Sequence, residues 1–326
     1  MTKLPVGLLL AAGLSIAPLA SASAQTYPSR TVTIVVTSAA GALTDVLTRA
    51  IGQRLSQKWG QSVIVENRGG AGHNFAAAAV KSAAHDGHTL LASETGFLTI
   101  QPHLFAKGKL PYDPETDFIP VAGYAGIPMA VLTHPSVPAR SMAELVALAK
   151  QKPDGLTYGT SGVGTALHTA ALQLESLAGV KMTAVHYRGA APALGDVVAG
   201  HINLVIMGPS VALTTVKAGK LNMLGFGSDK RLPQFPDVPT IAETVPGYAA
   251  NVSFGLFIAT GTPRPIIEKI NADVQAIVSD PEFHKKFLEP YVVQPLPGPL
   301  DAYADYLRRD SAKWAKVIKA ANLKID

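Results

Sequence analysis

The sequence predicts an α/β fold with two α/β units, and three observations predict it. Short β-branched runs alternate with helical stretches of about ten to fifteen residues, the pattern of βαβ units and of a parallel sheet with helices on its faces. The alternation comes in two series, separated by a Pro- and Tyr-rich connection near 111–120. The 326 residues also allow about two domains, each with its own core.

The first series opens with Val32-Thr33-Ile34-Val35-Val36 as a strand. A Gly-containing turn follows, then a helix with Val46, Leu47, Ala50, Ile51 and Leu55 on one face, ended by Gly60. Val63-Ile64-Val65 is the next strand, 67–72 a Gly-rich loop, Ala76 to Ala84 a short helix and Thr89 to Ala92 a third strand. In the second series Met129 to Leu132 reads as a strand. Ser141 to Lys150 reads as a helix, with Ser141 and Glu144 in the spacing of a capping box. Leu156 to Tyr158, Thr183 to Tyr187, Ile202 to Ile206 and Leu221 to Phe226 are further strands. Helices at Thr165 to Leu177 and Pro192 to Ala199 separate them, the latter started by Pro192. The last third carries helices at Ile266 to Val278 and Tyr303 to Ala321 without a comparable strand series, so it is expected to fold back on one of the two units.

Composition excludes whole classes. With 48% hydrophobic and 16% charged residues the chain is not disordered. With no Cys it has no disulfide, thiolate zinc site, iron-sulfur cluster or cysteine nucleophile. A net charge of +5, without a basic run or interleaved aromatics, argues against nucleic acid as a partner. The first 24 residues combine Lys3, an apolar stretch from Val6 to Leu19 broken by Gly13 and Pro18, and the small-residue signal Ala22-Ser23-Ala24. They read as a secretory signal peptide cleaved before Gln25, and a Cys-free exported chain suits a bacterial periplasm.

Two strand-to-helix loops carry a ligand-binding signal. The first is Thr37-Ser38-Ala39-Ala40-Gly41-Ala42-Leu43-Thr44-Asp45, and the second is Gly159-Thr160-Ser161-Gly162-Val163-Gly164-Thr165. Small residues let a ligand approach the backbone, hydroxyls donate hydrogen bonds, and helix N-termini attract anions. Ordinary turns also use these residues as caps, but one such loop in each unit places both at strand C-terminal ends, where open α/β sheets bind ligands. Sharper chemistry fails on inspection. Val163 stands where a nucleophile elbow needs its second Gly, neither loop ends in Gly-Lys-Ser/Thr, and Phe75 replaces the third Gly of a dinucleotide fingerprint after Gly70 and Gly72. His85 and His88 lack a third metal ligand and are read as lying on a solvent-facing loop. His168 has two readings, a pocket wall or a half-buried helix face. Asp45 also has two, a partner for a ligand amine or a helix cap.

At this point the residues resemble a known family. Tyr27-Pro28-Ser29-Arg30, Ala39-Ala40-Gly41 with Thr44-Asp45, Val65-Glu66-Asn67-Arg68, Tyr112-Asp113-Pro114, Tyr158-Gly159-Thr160-Ser161-Gly162, Tyr187-Arg188-Gly189-Ala190-Ala191-Pro192, Asp237-Val238-Pro239-Thr240 and Gly255-Leu256-Phe257 follow, in order, the pattern of the Bug receptors. These are periplasmic solute-binding proteins of tripartite tricarboxylate transporters. The resemblance implies a type II periplasmic-binding-protein fold, with 25–123 and 250–326 as a discontinuous first lobe and 124–249 as a second. A carboxylate would be captured between the lobes and passed to a membrane permease, with no cofactor, no metal and no catalysis, by a chain acting as a monomer. Carried over by position, the binding residues are Ser38, Ala39, Gly41, Ala42, Thr44 and Asp45 in the first loop and Thr95 after the third strand. Thr160, Ser161, Gly164, Thr165 and His168 follow in the second loop and its helix, then Arg188, Met207 and Gly208.

Departures from the family bear on the ligand. Thr37 and Ser38 stand where members usually have Pro-Phe, Ala42 replaces a second Gly, Val163 takes a commonly polar position, and Ile206-Met207 replaces an aromatic-acidic pair. The change implies a carboxylate with an apolar body, of the aromatic mono- or dicarboxylate kind exemplified by terephthalate, rather than an amino acid or a citrate-like ligand. Two alternatives remain. One is an exported α/β hydrolase using Ser161, His168 and Asp196; the other is a ligand-presenting partner of a sensor.

Overall fold

The computed structural model describes residues 27–69, 73–296 and 298–325. The expected signal peptide and its cleavage point, and Gly70-Ala71-Gly72, lie outside them. In chain order the first elements are β1 (Val32–Val36), α1 (Leu43–Trp59), β2 (Val63–Asn67), α2 (Asn74–Lys81), β3 (Thr89–Glu94), α3 (Gly96–Thr99), α4 (Gln101–Leu104), β4 (Phe118–Pro128) and β5 (Ala130–Thr133). Next come α5 (Met142–Gln151), β6 (Thr157–Thr160), α6 (Ala166–Ala178), β7 (Thr183–His186), α7 (Ala190–Ala199), β8 (Leu204–Met207), α8 (Leu213–Lys217) and β9 (Asn222–Phe226). The chain closes with β10 (Asn251–Ala259), α9 (Arg264–Val278), α10 (Pro281–Phe283), β11 (Gln294–Pro295) and α11 (Leu300–Ala320).

Two sheets result. One has the order β11-β4-β10-β3-β1-β2 and the other β7-β6-β8-β5-β9. Neither is the parallel sheet the alternation suggested. β10 runs antiparallel to both β3 and β4, and β5 antiparallel to both β8 and β9. The reason is connectivity: parallel neighbours need a helical crossover, whereas β5 follows β4 with only Met129 between them, and β10 arrives from the second sheet without one. Hydrogen bonds lace these crossovers together, from Met129 N–H to Ala250 O (3.0 Å), Gly227 N–H to Met129 O (2.7 Å) and Ala250 N–H to Gly227 O (3.1 Å). β4 keeps its pairing with β10 as far as Pro128, a few residues past the boundary expected at 124.

The core follows from residue pattern. α1 buries Leu47, Ile51 and Leu55 at a spacing of four against Ile34, Leu90 and Ala92, while Gly60 in the left-handed conformation closes it through a bond from its N–H to Ser56 O. On the opposite face α2 and α11 cover Val35, Leu91 and Phe257. β4 and β10 are absent from the sequence reading, because Pro120, Gly123, Gly126 and Gly255 break their strand pattern. The structure explains two of these glycines, since a Cβ at Gly123 or Gly255 would run into the Tyr303 ring of α11. Smaller corrections concern α7, which starts at Ala190 rather than Pro192, and Glu144, whose carboxylate accepts from Arg140 N–H while Ser141 caps α5 alone. His88 does not face solvent. It is buried, edge-on to Tyr27, and its Nε2 accepts from Ser29 N–H. No group of three metal-ligating side chains occurs among the described residues.

Candidate functional site

Strand order places the C-terminal ends of β1 and β3 side by side in one sheet, and those of β6 and β8 in the other. Between them lies a cleft of about 610 Å³ lined from both sheets. Ser38, Ala42, Thr44 and Thr95 line it on one side, and Ser161, Gly164, Thr165, Met207 and Gly208 on the other. The two loops read from the sequence therefore do meet.

The first loop is held by Asp45. Gly41, at φ +82°, turns the chain so that its N–H donates to Asp45 Oδ2 (2.9 Å), while Asn67 Nδ2 donates to Asp45 Oδ1 (2.9 Å) and to Ser38 O (3.1 Å). Arg49 Nε completes the set at 2.9 Å. Burial alone would raise the Asp45 pKa, but the Arg49 guanidinium and the Gly41 and Asn67 donors outweigh it and hold the carboxyl below its ordinary range. Asp45 is thus a buried fastener of the loop and does not line the cleft. Ala39 and Gly41 are exposed on its outer side.

The second loop is held from behind. Thr160 Oγ1 lies 2.7 Å from His186 Nδ1, and Gly164 N–H donates to His168 Nδ1 (3.0 Å). Burial, with His186 close by, lowers the His168 pKa to about 4, so the ring stays neutral and acts as an acceptor. Of its two readings, the half-buried helix face comes nearer: the ring is almost fully buried behind the loop and does not line the cleft. Arg188 is exposed before α7 and does not line it either.

These positions argue against hydrolytic chemistry by geometry. Asp196 is bonded to Tyr187 Oη (2.6 Å) and lies beside His201, whereas His168 Nδ1, the atom a triad carboxylate would orient, already accepts from Gly164. The arrangement suits an anion instead. α1 and α6 begin at Ala42 and Thr165 without side-chain caps, and their first residues line the cleft. No hydrogen bond among the described residues uses the hydroxyls of Ser38, Thr44 or Ser161, and Ser38 Oγ is buried without a partner. Among the described residues no Lys or Arg lines the cleft, so an anion there is held by neutral donors.

A family model described as "Tripartite tricarboxylate transporter family receptor" matches residues 47–323. The chain belongs to this receptor family. BugT of Bordetella pertussis is 28% identical over 333 residues, spanning 100% of this receptor and 99% of BugT. Among solved structures, R. palustris Rpa4515 with adipate is 34% identical at a TM-score of 0.79, covering 91% of this receptor and 99% of that chain. MatC from Rhodopseudomonas palustris with bound malate is 31% identical at a TM-score of 0.74, covering 90% and 100%. The receptor thus has the two-lobed fold of these binding proteins and is a solute-binding protein, not an enzyme.

Sequence reasoning missed part of the lining. His73 and Glu94 come from the first lobe, Asn251 and Phe254 from β10, and Asp310 and Trp314 from α11. Glu94 had a signal, since it directly precedes Thr95. The α11 residues had none, because their place depends on α11, late in the chain, crossing to the cleft.

Proposed function

We propose that this receptor captures an organic carboxylate between its lobes in the periplasm, after removal of a signal peptide ending at Ala24, and delivers it as a monomer to the membrane permease of a tripartite transporter. The lobes meet at the crossovers around Met129, Gly227 and Ala250, which gives closure a hinge. Ligand favours the closed form only through its higher affinity for that form.

The observation that carries this reading is the pair of free hydroxyls, Ser38 and Ser161, one from each loop, beside two uncapped helix starts in a cleft without a cation. Relatives solved with adipate and malate add support from outside the chain. The ligand body is apolar in this proposal. Ile127, Met129, Val163, Leu167, Met207 and Phe254 supply the walls, and aromatic acids of the benzoate and terephthalate type are the probes to try first. Titration calorimetry of the mature chain against aromatic and aliphatic acids tests it. Saturable binding of a carboxylate, weakened at least about tenfold by Ser38→Ala combined with Ser161→Ala, is expected. Binding of citrate with no response to any benzoate-type acid overturns the apolar-body part.

A further inference from the structure

We infer that α11 is a strap that holds the two lobes in contact without a ligand, a connection beside the covalent crossovers, and that Lys313 and Leu172 set its grip. The inference takes only the hinge from the capture reading above and does not depend on a carboxylate.

α11 touches both lobes and the hinge. Its first turns belong to the first lobe, where Tyr303 and Leu307 are buried with Val35, Leu91 and Phe257. Further along, Trp314, Val317 and Ile318 form a buried apolar cluster with Ile100 and Leu104. Leu172 of α6, in the second lobe, packs against that cluster. Between these two stretches Lys313 Nζ donates to Ala249 O (3.1 Å), next to the crossover residue Ala250. The ammonium is held there from two more sides. Asp310 Oδ1 lies 2.7 Å from it, and the centre of the Trp314 ring lies 4.2 Å away. The Trp314 indole donates in turn to Asp310 Oδ2 (3.1 Å), so one buried carboxylate ties the lysine to the apolar cluster.

The lobes also meet across the cleft beside this helix. Leu104 bears on Gly164 and leaves no room for a Cβ there, while Ile325 N–H donates to Leu104 O (2.9 Å). Parting the lobes therefore exposes Leu172 and the apolar surface it covers, and draws the hinge at Ala249 away from a charge-assisted bond. Neither contact involves a ligand, so both favour the joined arrangement in the empty receptor. Asp310 and Trp314 line the cleft as well, so strap and cleft share two residues.

Distance measurements between two spin labels on the mature chain, without ligand, test this. The sequence has no Cys, so Ala84→Cys in the first lobe and Ala218→Cys in the second, both exposed, carry the only labels. The expected result is a population dominated by the label separation of the present structure. The ratio of a second separation to this one should rise about fivefold or more in Lys313→Met and again in Leu172→Ala. Lys313→Arg, which keeps the charge, should stay near the wild-type ratio, as should Lys316→Met, at an exposed position of the same helix. Circular dichroism and thermal melting show whether each variant is folded. A second separation that dominates the unmodified sequence, or two populations whose ratio neither Lys313→Met nor Leu172→Ala moves, overturns the strap and leaves the hinge standing. A single separation in every variant overturns both.

Discussion

Asp45 and His168 show how single side chains prepare a binding loop without touching what it binds. Asp45 gathers the Gly41 N–H, the Asn67 amide and the Arg49 guanidinium under the first loop. Replacing it by Ala removes a nearly buried carboxylate and its charge-assisted bonds to Gly41, Asn67 and Arg49, a loss of about 2 kcal/mol in denaturant unfolding, and a comparable loss of ligand affinity is expected as the loop loosens. His168 makes a pH prediction. Its pKa of about 4 lies below the ordinary 6.5, so the unfolded chain takes up a proton before the folded one does. The stability contributed by its neutral ring is complete above about pH 6.5 and is lost as pH falls toward 4, by about 3 kcal/mol at most. Protonation also removes the acceptor for Gly164 N–H, so ligand affinity should fall in the same window. Melting curves between pH 7 and 4 check this, and His168→Gln should flatten the His168 contribution.

At the scale of elements, the second loop joins the lobes as well as binding. Gly164 sits at φ +73°, and a Cβ there would collide with Leu104 of α4 and crowd Ile325 from the chain's end. Its glycine therefore serves contact between the lobes as much as ligand approach. Gly164→Val is expected to cost about 2 kcal/mol or more, while Gly162→Ala, with ordinary contacts at the added Cβ but φ +131°, should cost less. Chemical denaturation of the two variants makes the comparison. Elements with strong local patterns were legible in the sequence: β1 from its β-branched run, α1 from its four-residue spacing and the stop at Gly60. β4 and β10 were not, because Gly123 and Gly255 are chosen by Tyr303, a contact remote in sequence that overrides strand propensity. The site divides the same way. Ser38, Thr44, Ser161 and Thr165 were visible because loop chemistry is local, whereas Asp310 and Trp314 reach the cleft only through the path of α11.

For the whole molecule, the two sheets joined by laced crossovers form the clamp of the proposed capture, whose closed state a ligand would stabilise. The family assignment supplies the receptor role, and the chain's own cleft supplies the means: neutral donors from both lobes in a space without a cation. A true ligand at 100 times its Kd should raise unfolding free energy by about 2.7 kcal/mol. The most direct test is a thermal-shift measurement of the mature chain with saturating organic carboxylates, run beside the Ser38→Ala, Ser161→Ala double variant. The account predicts a clear rise in Tm with at least one carboxylate, cut to about half or less in the double variant at the same concentration. No rise with any carboxylate, or a rise that survives the loss of both hydroxyls unchanged, would contradict it.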